Sequence, residues 1–313
     1  MIAWVFPGQG AQKVGMGKEL ADSFPLCRAA FDEADAALGE SLSALCFDGP
    51  EERLRQTEHT QPAILAMSIA VHRLVESKGV RASFAAGHSL GEYSAHVAAG
   101  TISFADALQT VRRRGRYMQD AVPPGEGAMA AILGLDADSV TRACSESALE
   151  LGRVVTPANF NAPGQVVIAG HADAVAHAGE RCKAFGAKRA IALAVSAPFH
   201  CPLMKPAEER LAPELRALAA VDPRIPVVAN VDAQPKRDAA AALEALVRQV
   251  SSPVRWEDVV RRLIHEGART FVELGPGTVL AGLIKKIDRT VEVMSIEDEA
   301  GLNAALSRLK AIS

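Results

Sequence analysis

Short apolar runs alternate with longer amphipathic segments along this chain of 313 residues. The apolar runs are typical of strands, and the segments with an apolar period near 3.6 residues are typical of helices. Residues 2–6 form the first apolar run, which stops at a glycine-bracketed loop at 7–10. Residues 61–78 predict a well-delimited helix, with Pro62 in its first turn and Gly79 just past its end. The alternation of strands and helices predicts an α/β protein.

The middle of the chain has a different order of elements. After a predicted helix at 104–119, the pattern indicates strand, helix, strand, strand, helix and strand. These lie at 128–133, 136–149, 154–160, 165–169, 172–185 and 189–194. This βαββαβ order is that of the ferredoxin-like unit, which can fold as a compact subdomain. Beyond it the first pattern resumes, with helices at 202–218, 239–250, 256–266 and 278–286, and strands at 226–229 and 270–274.

These two patterns predict two structural units. Residues 1–125 and 195–313 would form a larger α/β domain, and residues 126–194 a ferredoxin-like subdomain inserted into it. Because pockets favour domain interfaces, we expect the ligand site in a cleft between the two units.

The pentapeptide Gly87-His88-Ser89-Leu90-Gly91 is the most informative motif in the chain. It lies between a predicted strand at 82–86 and a predicted helix at 92–99. On such a strand-to-helix turn the serine hydroxyl is exposed, and the N–H of the next residue is free to stabilise an oxyanion. The bare G-x-S-x-G pattern also arises by chance, but this context favours Ser89 as a nucleophile.

A serine hydroxyl is a weak nucleophile and needs a base within hydrogen-bond reach. His200 is the best candidate, because it lies in a proline-bracketed loop at 195–202, directly after the last strand of the predicted insertion. His88 is adjacent to Ser89 in an extended turn that points its side chain away. A loop histidine with only a structural role is the alternative interpretation of His200.

The remaining histidines lie in polar or helical contexts that are typical of solvated side chains. They are His59, His72, His96, His171, His177 and His265. No Asp or Glu stands out as a third member of a triad. A backbone carbonyl can hold a histidine tautomer equally well, so a Ser–His dyad is an open alternative.

Arg114 falls on the apolar face of the helix predicted at 104–119, together with Val111 and Met118. An inward guanidinium keeps its proton and needs an anion, so it is either paired within the protein or kept for a ligand. If the partner is a ligand, a planar carboxylate fits best, because it accepts two parallel hydrogen bonds.

Composition narrows the class of protein. A net charge of −3 argues against a general nucleic-acid or anionic-membrane binder. The 5 cysteines are scattered and form no C-x-x-C pair, so neither a disulfide framework nor a zinc site is indicated. No apolar run approaches the ~20 residues of a membrane span, and the first residues do not resemble a signal peptide. We therefore expect a cytoplasmic enzyme.

Several motifs together resemble bacterial malonyl-CoA:acyl-carrier-protein transacylases. In chain order they are FPGQG (6–10), TQPA (60–63), GHSLGEY (87–93), RG (114–115), NFNAPGQ (159–165), SAPFH (196–200) and ELGPG (273–277). One such motif would be weak evidence, but their succession in order from 6 to about 286 is highly specific. The resemblance implies an α/β-hydrolase-like core with a ferredoxin-like insertion.

The resemblance also implies a role for individual residues. Ser89 would be the nucleophile, His200 its base and Arg114 the clamp for the free carboxylate of malonate. It also implies an oxyanion hole formed by the backbone N–H groups of Gln9 and Leu90. The main-chain carbonyl of Gln249 would orient the histidine. Phe199 would favour malonyl over other acyl groups. The sequence around Gln249 departs somewhat from the family pattern.

The reaction implied is a ping-pong transfer of malonyl from malonyl-CoA to an acyl carrier protein, supplying fatty acid synthesis, with no metal or redox cofactor. The carrier protein is acidic in this family, so we expect it to dock on a local basic surface of a monomer. Candidate residues for that surface, each of which could instead be solubilising charge, are Arg112, Arg113, Arg116, Lys188, Arg189, Lys285 and Lys286.

Three other functions are compatible with parts of this pattern. A serine esterase or thioesterase would use the same turn but has no need of an inward Arg114. A malonyltransferase subunit of a malonate decarboxylase would share the chemistry. A catalytically inactive module that binds carrier protein is disfavoured by the intact Ser89, His200 and Arg114.

Overall fold

The structure, a computed structural model, describes residues 1–195 and 197–311. Ser196 of the proline-bracketed loop and residues 312–313 of the predicted 195–313 segment lie outside the described residues. The strands are β1 (Ile2–Phe6), β2 (Phe84–Gly87), β3 (Gly127–Leu133), β4 (Val155–Ala162), β5 (Gln165–His171), β6 (Arg189–Ala192), β7 (Val227–Val228), β8 (Pro235–Lys236), β9 (Thr270–Leu274) and β10 (Glu292–Ile296).

Helices connect and cover these strands, with a short 3₁₀ turn at Pro202–Met204. They are α1 (Lys18–Ser23), α2 (Pro25–Leu38), α3 (Leu42–Asp48), α4 (Glu51–Leu54), α5 (Thr57–Ser77), α6 (Leu90–Ala98), α7 (Phe104–Asp120), α8 (Ala137–Leu151), α9 (Ala172–Ala184), α10 (Lys205–Arg216), α11 (Ala239–Gln249), α12 (Trp256–His265), α13 (Val279–Ile287) and α14 (Glu299–Ala311). The chain is therefore of the mixed α/β class, as the sequence pattern predicts.

The first sheet has six strands in the order β10-β9-β1-β2-β7-β8. All neighbours in it are parallel except β7 and β8. Helices cover both faces: Trp4 and Phe6 of β1 point into one core cluster, while Ala3 and Val5 point into the other. The continuous apolar run of β1 follows from burial on both faces.

The carboxyl ends of the parallel strands β1, β2 and β7 bring three segments of the chain to one edge of this sheet. Phe6 at the end of β1 is paired with Gly87 at the end of β2, and β7 lies on the other side of β2. The loop at 7–10, the turn at 88–89 and Asn230 therefore meet at that edge. Ligand sites of open parallel sheets occur at this edge.

The second sheet is formed by one continuous segment of the chain. Its four strands have the order β4-β5-β3-β6 and are antiparallel throughout. Helices α8 and α9 pack on it and enclose a separate core cluster that includes Val140, Ile168 and Val175. Two backbone hydrogen bonds join the segment to the rest of the chain: Phe160 N–H to the Val254 carbonyl at 2.9 Å, and Val254 N–H to the Ala158 carbonyl at 2.8 Å.

The structure corrects the start of one predicted helix. Helix α5 begins at Thr57, so Pro62 lies in its second turn and not in its first. Residues 57–60 extend the helix because buried Thr57, His59 and Thr60 pack inward with the rest of α5. Helices α1–α4, strands β8 and β10 and helix α14 have no counterpart among the predicted elements.

Helix α6 approaches β1 so closely that we expect Gly91 to tolerate no side chain. A Cβ at Gly91 would lie 2.0 Å from the Phe6 carbonyl oxygen. Gly91→Ala should lower the free energy of unfolding by about 1–3 kcal/mol, the cost of overpacking a close contact. Chemical denaturation with urea measures this.

Gly282→Ala is the matched control, because Gly282 is also helical and its Cβ would meet nothing within 4 Å. That variant should be neutral or more stable by up to about 1 kcal/mol, the helix propensity gained. Equal effects of the two substitutions would contradict the close approach of α6 to β1.

Candidate active site

Ser89 occupies the turn between β2 and α6 in a backbone conformation that is costly for a serine. Its φ is 52° and its ψ is −106°. Two contacts of Asn230 hold it there: the Asn230 side-chain oxygen accepts the Ser89 N–H at 2.7 Å, and its amide nitrogen donates to the Gly87 carbonyl at 2.7 Å. Strain of this kind persists where the surroundings over-determine it, and it is concentrated at functional sites.

His200 lies directly beside Ser89. Ser89 Oγ and His200 Nε2 are 2.6 Å apart, and His200 Nδ1 is 3.0 Å from the main-chain oxygen of Gln249. A carbonyl only accepts, so Nδ1 carries the proton and Nε2 is left to accept the serine proton. Among the described residues the orienting partner is thus a carbonyl and not a carboxylate.

The surroundings of His200 keep its imidazole neutral. The side chain is 3% exposed. Burial, reinforced by the positive charge of Arg114, lowers the pKa of His200 to about 3. A neutral imidazole is the form that can act as a base at neutral pH.

Arg114 is buried on the inward face of α7, as its helical position predicts, and is 1% exposed. Its Nη1 donates to Gln61 Oε1 at 2.8 Å. Its Nη2 donates to Gln249 Oε1 at 2.8 Å and to Ser89 Oγ at 3.1 Å. The guanidinium also lies 5.4 Å from the centre of the Tyr93 ring. Each of these partners is neutral.

No carboxylate in the described part of the chain lies within ion-pair distance of Arg114. Burial lowers the pKa of Arg114, which is the direction expected when a charge leaves water without a counter-ion. A buried cation without a partner carboxylate, next to a serine hydroxyl, is suited to an anionic ligand.

A pocket of about 130 Å³ opens over these groups. Met129, Asn159 and Leu193, which lie within residues 126–194, line this pocket, as does Val195, which follows them in the chain. The other lining residues are Gln9, Gln61, His88, Ser89, Leu90, Arg114, Met118, Phe199 and His200. Every predicted site residue except Gln249 therefore lines the pocket. Gln249 is buried and contacts His200 and Arg114.

His88 lines the pocket but has a partner other than Ser89. His88 Nε2 is 2.9 Å from Asn161 Oδ1, with its ring turned away from the serine hydroxyl. The expectation that the remaining histidines are solvated is wrong for His59, His72 and His96, which are 6%, 4% and 0% exposed. Burial lowers the pKa of His72 and of His96 to about 3.

Sequence reasoning missed several residues that build the site. Asn230 hydrogen-bonds the turn at Ser89, Glu92 hydrogen-bonds Gln249, and Gln61 hydrogen-bonds Arg114. Gln61 and Glu92 lie within two of the motifs given above, but those motifs assign them no role. One signal was available for Asn230. It lies two residues beyond the end of β7, a parallel neighbour of β2, so its side chain belongs to the same edge of the sheet as Ser89.

The predicted basic surface divides into separate groups. Arg112 and Arg113 on α7 form ion pairs with Glu40 and Glu214. Lys188, Arg189 and Lys286 are exposed at one end of the second sheet. There Leu133 pairs with both Arg189 and Gln165, and Lys286 Nζ donates to Gln165 at 2.9 Å. Of the other candidates, Arg116 is exposed on α7 and Lys285 donates to the Val291 carbonyl.

Within residues 1–195 and 197–311, no group of three or more His, Cys, Asp or Glu side chains is arranged to hold a metal ion. No helix there has the length and apolar content needed to cross a bilayer. The cysteines described are all free and buried.

Comparison with known proteins gives consistent matches over nearly the whole chain. The acyl transferase domain family matches residues 3–303. The malonyl CoA-acyl carrier protein transacylase of Salmonella typhimurium is 52% identical over 98% of this chain and 99% of its own length. That of Escherichia coli K12 is 51% identical over 97% and 98%. A malonyl-transacylase solved in complex with its type II PKS acyl-carrier protein is 51% identical, with a TM-score of 0.95 and coverage of 98% of this chain and 99% of that one.

A domain match of this extent places the chain among the acyltransferases, and this confirms the enzyme class that the motifs imply. With about half of its residues identical from end to end, the chain belongs to the malonyl CoA-acyl carrier protein transacylase family. The resemblance inferred from the sequence is thereby confirmed.

We expect the His200 imidazole to remain neutral, with its proton on Nδ1, across the range from pH 8 down to about pH 5. The lowered pKa of His200 and its bond to the Gln249 carbonyl are the reasons. Nitrogen-15 NMR of histidine-labelled protein distinguishes the two tautomers and the imidazolium, and a His200→Ala sample assigns the signal. A titration midpoint near the unperturbed value of about 6.5 would contradict the burial argument.

Proposed function

We propose that this enzyme transfers the malonyl group of malonyl-CoA to the phosphopantetheine thiol of an acyl carrier protein, through a malonyl ester on Ser89. One observation carries the proposal: a buried guanidinium, with no carboxylate partner among the described residues, lies 3.1 Å from a serine hydroxyl that is itself 2.6 Å from a neutral histidine. The names of the relatives and of the solved neighbour support the same donor and acceptor.

In the first half-reaction Ser89 Oγ attacks the thioester carbonyl of malonyl-CoA while His200 Nε2 takes its proton. The carbonyl oxygen becomes negative, and the backbone N–H groups of Gln9 and Leu90 would stabilise it. Both residues line the pocket, and Leu90 is the first residue of α6, where N–H groups have no intrahelical acceptor. Collapse of the intermediate breaks the C–S bond, and the proton on His200 goes to the departing coenzyme A thiolate.

In the second half-reaction the thiol of the carrier protein takes the place of coenzyme A. His200 removes the thiol proton, the sulfur attacks the malonyl ester, and Ser89 leaves with the proton returned from His200. Each proton transfer and each developing charge is handled by the side chains and backbone groups named above. We therefore propose that the reaction needs no metal ion and no redox cofactor.

Arg114 and Gln249 would position the malonyl carboxylate and the His200 imidazole. The malonyl carboxylate would bind Arg114, with Phe199 and Met118 contributing to the pocket wall that limits the acyl group. The main-chain carbonyl of Gln249 would orient His200 during both half-reactions, as the 3.0 Å contact with Nδ1 supports.

The arrangement of the two sheets supports a fold of the type that the family resemblance implies. We propose an α/β-hydrolase-like core made of residues 1–125 and 195–313, with a ferredoxin-like subdomain at 126–194. The support is the largely parallel first sheet with its strand-turn-helix serine, and the antiparallel order β4-β5-β3-β6 of the second sheet. In that order the first and third strands of the βαββαβ unit are central, as in ferredoxin-like folds.

The carrier protein would dock where unpaired positive charge is exposed. Lys188, Arg189 and Lys286 meet this condition better than Arg112 and Arg113, whose charges are balanced by Glu40 and Glu214. An acidic partner is attracted to such a patch at low ionic strength more than at high.

We expect brief exposure to malonyl-CoA to add one malonyl group, on the peptide that contains Ser89. Mass spectrometry of the intact protein, followed by peptide mapping, measures this, and addition of carrier protein should remove the adduct. Ser89→Ala serves as the control and should show no adduct. Release of free malonate faster than transfer to carrier protein would indicate a thioesterase, and lack of any adduct or transfer would refute the proposal.

We expect Arg114→Ala to lower kcat/KM for malonyl-CoA by about 30-fold or more, while kcat/KM for acetyl-CoA changes little. The reason is that truncating one partner of a desolvated charge pair costs about 2–5 kcal/mol, and acetyl has no carboxylate to leave unpaired. The ratio of the two kcat/KM values is the measurement.

Arg113→Ala is the matched control, because Arg113 is the preceding residue on α7 but pairs with Glu214 at the surface. It should leave the ratio as it is in the native enzyme. Equal loss of both activities in Arg114→Ala, together with a lower melting temperature, would make Arg114 a structural residue instead.

A further inference from the structure

Glu92 is a buried carboxylate that the proposed reaction does not use. It lies in the first turn of α6, three positions after Ser89, and is 0% exposed. Within the described residues no Lys, Arg or His side chain is in ion-pair contact with it. It does not line the pocket, so it cannot touch an acyl group there. Burying a carboxyl group is costly, and its partners indicate what it does.

Both hydrogen bonds to Glu92 end on the same oxygen. Its Oε2 accepts the Asn230 N–H at 3.0 Å and the Gln249 side-chain amide at 2.7 Å, while Oε1 is buried without a partner in the described residues. Burial raises the pKa of Glu92 to about 7. Because a proton on Oε1 would leave both bonds on Oε2 intact, the contacts do not depend on the ionisation of Glu92.

The Gln249 side chain connects this carboxyl group to Arg114. Its amide nitrogen donates to Glu92 Oε2 and, at 2.9 Å, to the Ser89 carbonyl, while its Oε1 accepts from Arg114 Nη2 at 2.8 Å. A side-chain amide fixed at its nitrogen by two acceptors has its oxygen fixed as well. The guanidinium is thereby held at Nη2 by Gln249 and at Nη1 by Gln61, and neither of these amides neutralises its charge.

We infer that Glu92 is a positioning residue: through the Gln249 amide it holds the Arg114 guanidinium in the orientation that receives the malonyl carboxylate. The inference rests on the proposed function, since it takes Arg114 as the carboxylate clamp. A carboxylate in direct contact with Arg114 would compete with the substrate for the guanidinium. Because the Gln249 amide lies between them, the Glu92 carboxyl group fixes the position of the Arg114 guanidinium without occupying it.

The test compares acyl preference, the ratio of kcat/KM for malonyl-CoA to that for acetyl-CoA, in a set of variants. Glu92→Ala should lower this ratio about tenfold, the effect of one lost hydrogen bond in a charged network. Glu92→Gln should restore it to within about threefold of native, because an amide oxygen accepts the same two bonds. Failure of Glu92→Gln to restore the ratio would overturn the inference.

Glu273→Ala is the matched control for loss of a buried carboxyl group. Glu273 is also 0% exposed, has a pKa raised to about 7 by burial, and accepts the N–H groups of Leu280 at 3.0 Å and Ala281 at 2.8 Å, away from Arg114. This substitution should lower the melting temperature without changing acyl preference. An unchanged preference in Glu92→Ala, with a similar loss of stability, would show that Glu92 is merely structural.

Gln249→Met keeps the main-chain carbonyl that contacts His200 but removes the amide, so it tests the link even if Glu92→Ala does not fold. It should lower acyl preference by itself, and Glu92→Ala added to it should lower the preference no further. A native ratio in Gln249→Met, or full additivity, would overturn the inference. Arg114→Ala separates the two proposals. If it leaves the acyl preference unchanged, Arg114 is not the carboxylate clamp. If Arg114→Ala lowers the acyl preference and Glu92→Ala does not, only the role of Glu92 is refuted.

Discussion

The close approach of α6 to the end of β1 determines how the rest of the site is built. Because Gly91 lies against the Phe6 carbonyl, the helix begins directly above the sheet, and Ser89 must complete the turn with a positive φ. The same geometry puts the start of α6 beside the loop that follows β1. Asn230 then reaches Ser89 from the neighbouring strand and holds the turn with two hydrogen bonds. A larger residue at position 91 would displace all of these groups together.

The site keeps its charged groups apart by placing neutral amides between them. Gln249 contacts the imidazole with its main chain and both the guanidinium and the Glu92 carboxyl with its side chain. Gln61 is a second neutral partner of the guanidinium. Amides fix direction without neutralising charge, so Arg114 is oriented by hydrogen bonds and keeps its charge for an anion.

The sequence predicts those parts of the site that local geometry controls. A strand-turn-helix pattern locates Ser89, helical periodicity directs Arg114 inward, and two prolines single out the loop of His200. Gln249 could be assigned only through the family resemblance, because its contact uses a main-chain carbonyl that any residue possesses. Asn230 and Glu92 contact Ser89 and Gln249 across 141 and 157 positions, and no local pattern encodes such distances. Helix α5 begins a turn early for a related reason: tertiary burial of Thr57 and Thr60 overrides the boundary that Pro62 suggests.

The carbonyl partner of His200 has a consequence for the balance of charge during turnover. When the imidazole takes a proton, its second nitrogen faces a neutral oxygen, and the charged group that acts on it most strongly is the positive Arg114. Two cations side by side in a buried site repel each other unless an anion joins them. The acyl group brings that anion, and the tetrahedral oxygen adds another. The substrate thus supplies the anions that face these two cations, so we expect the serine to be deprotonated most readily when an acid-bearing acyl group already occupies the pocket.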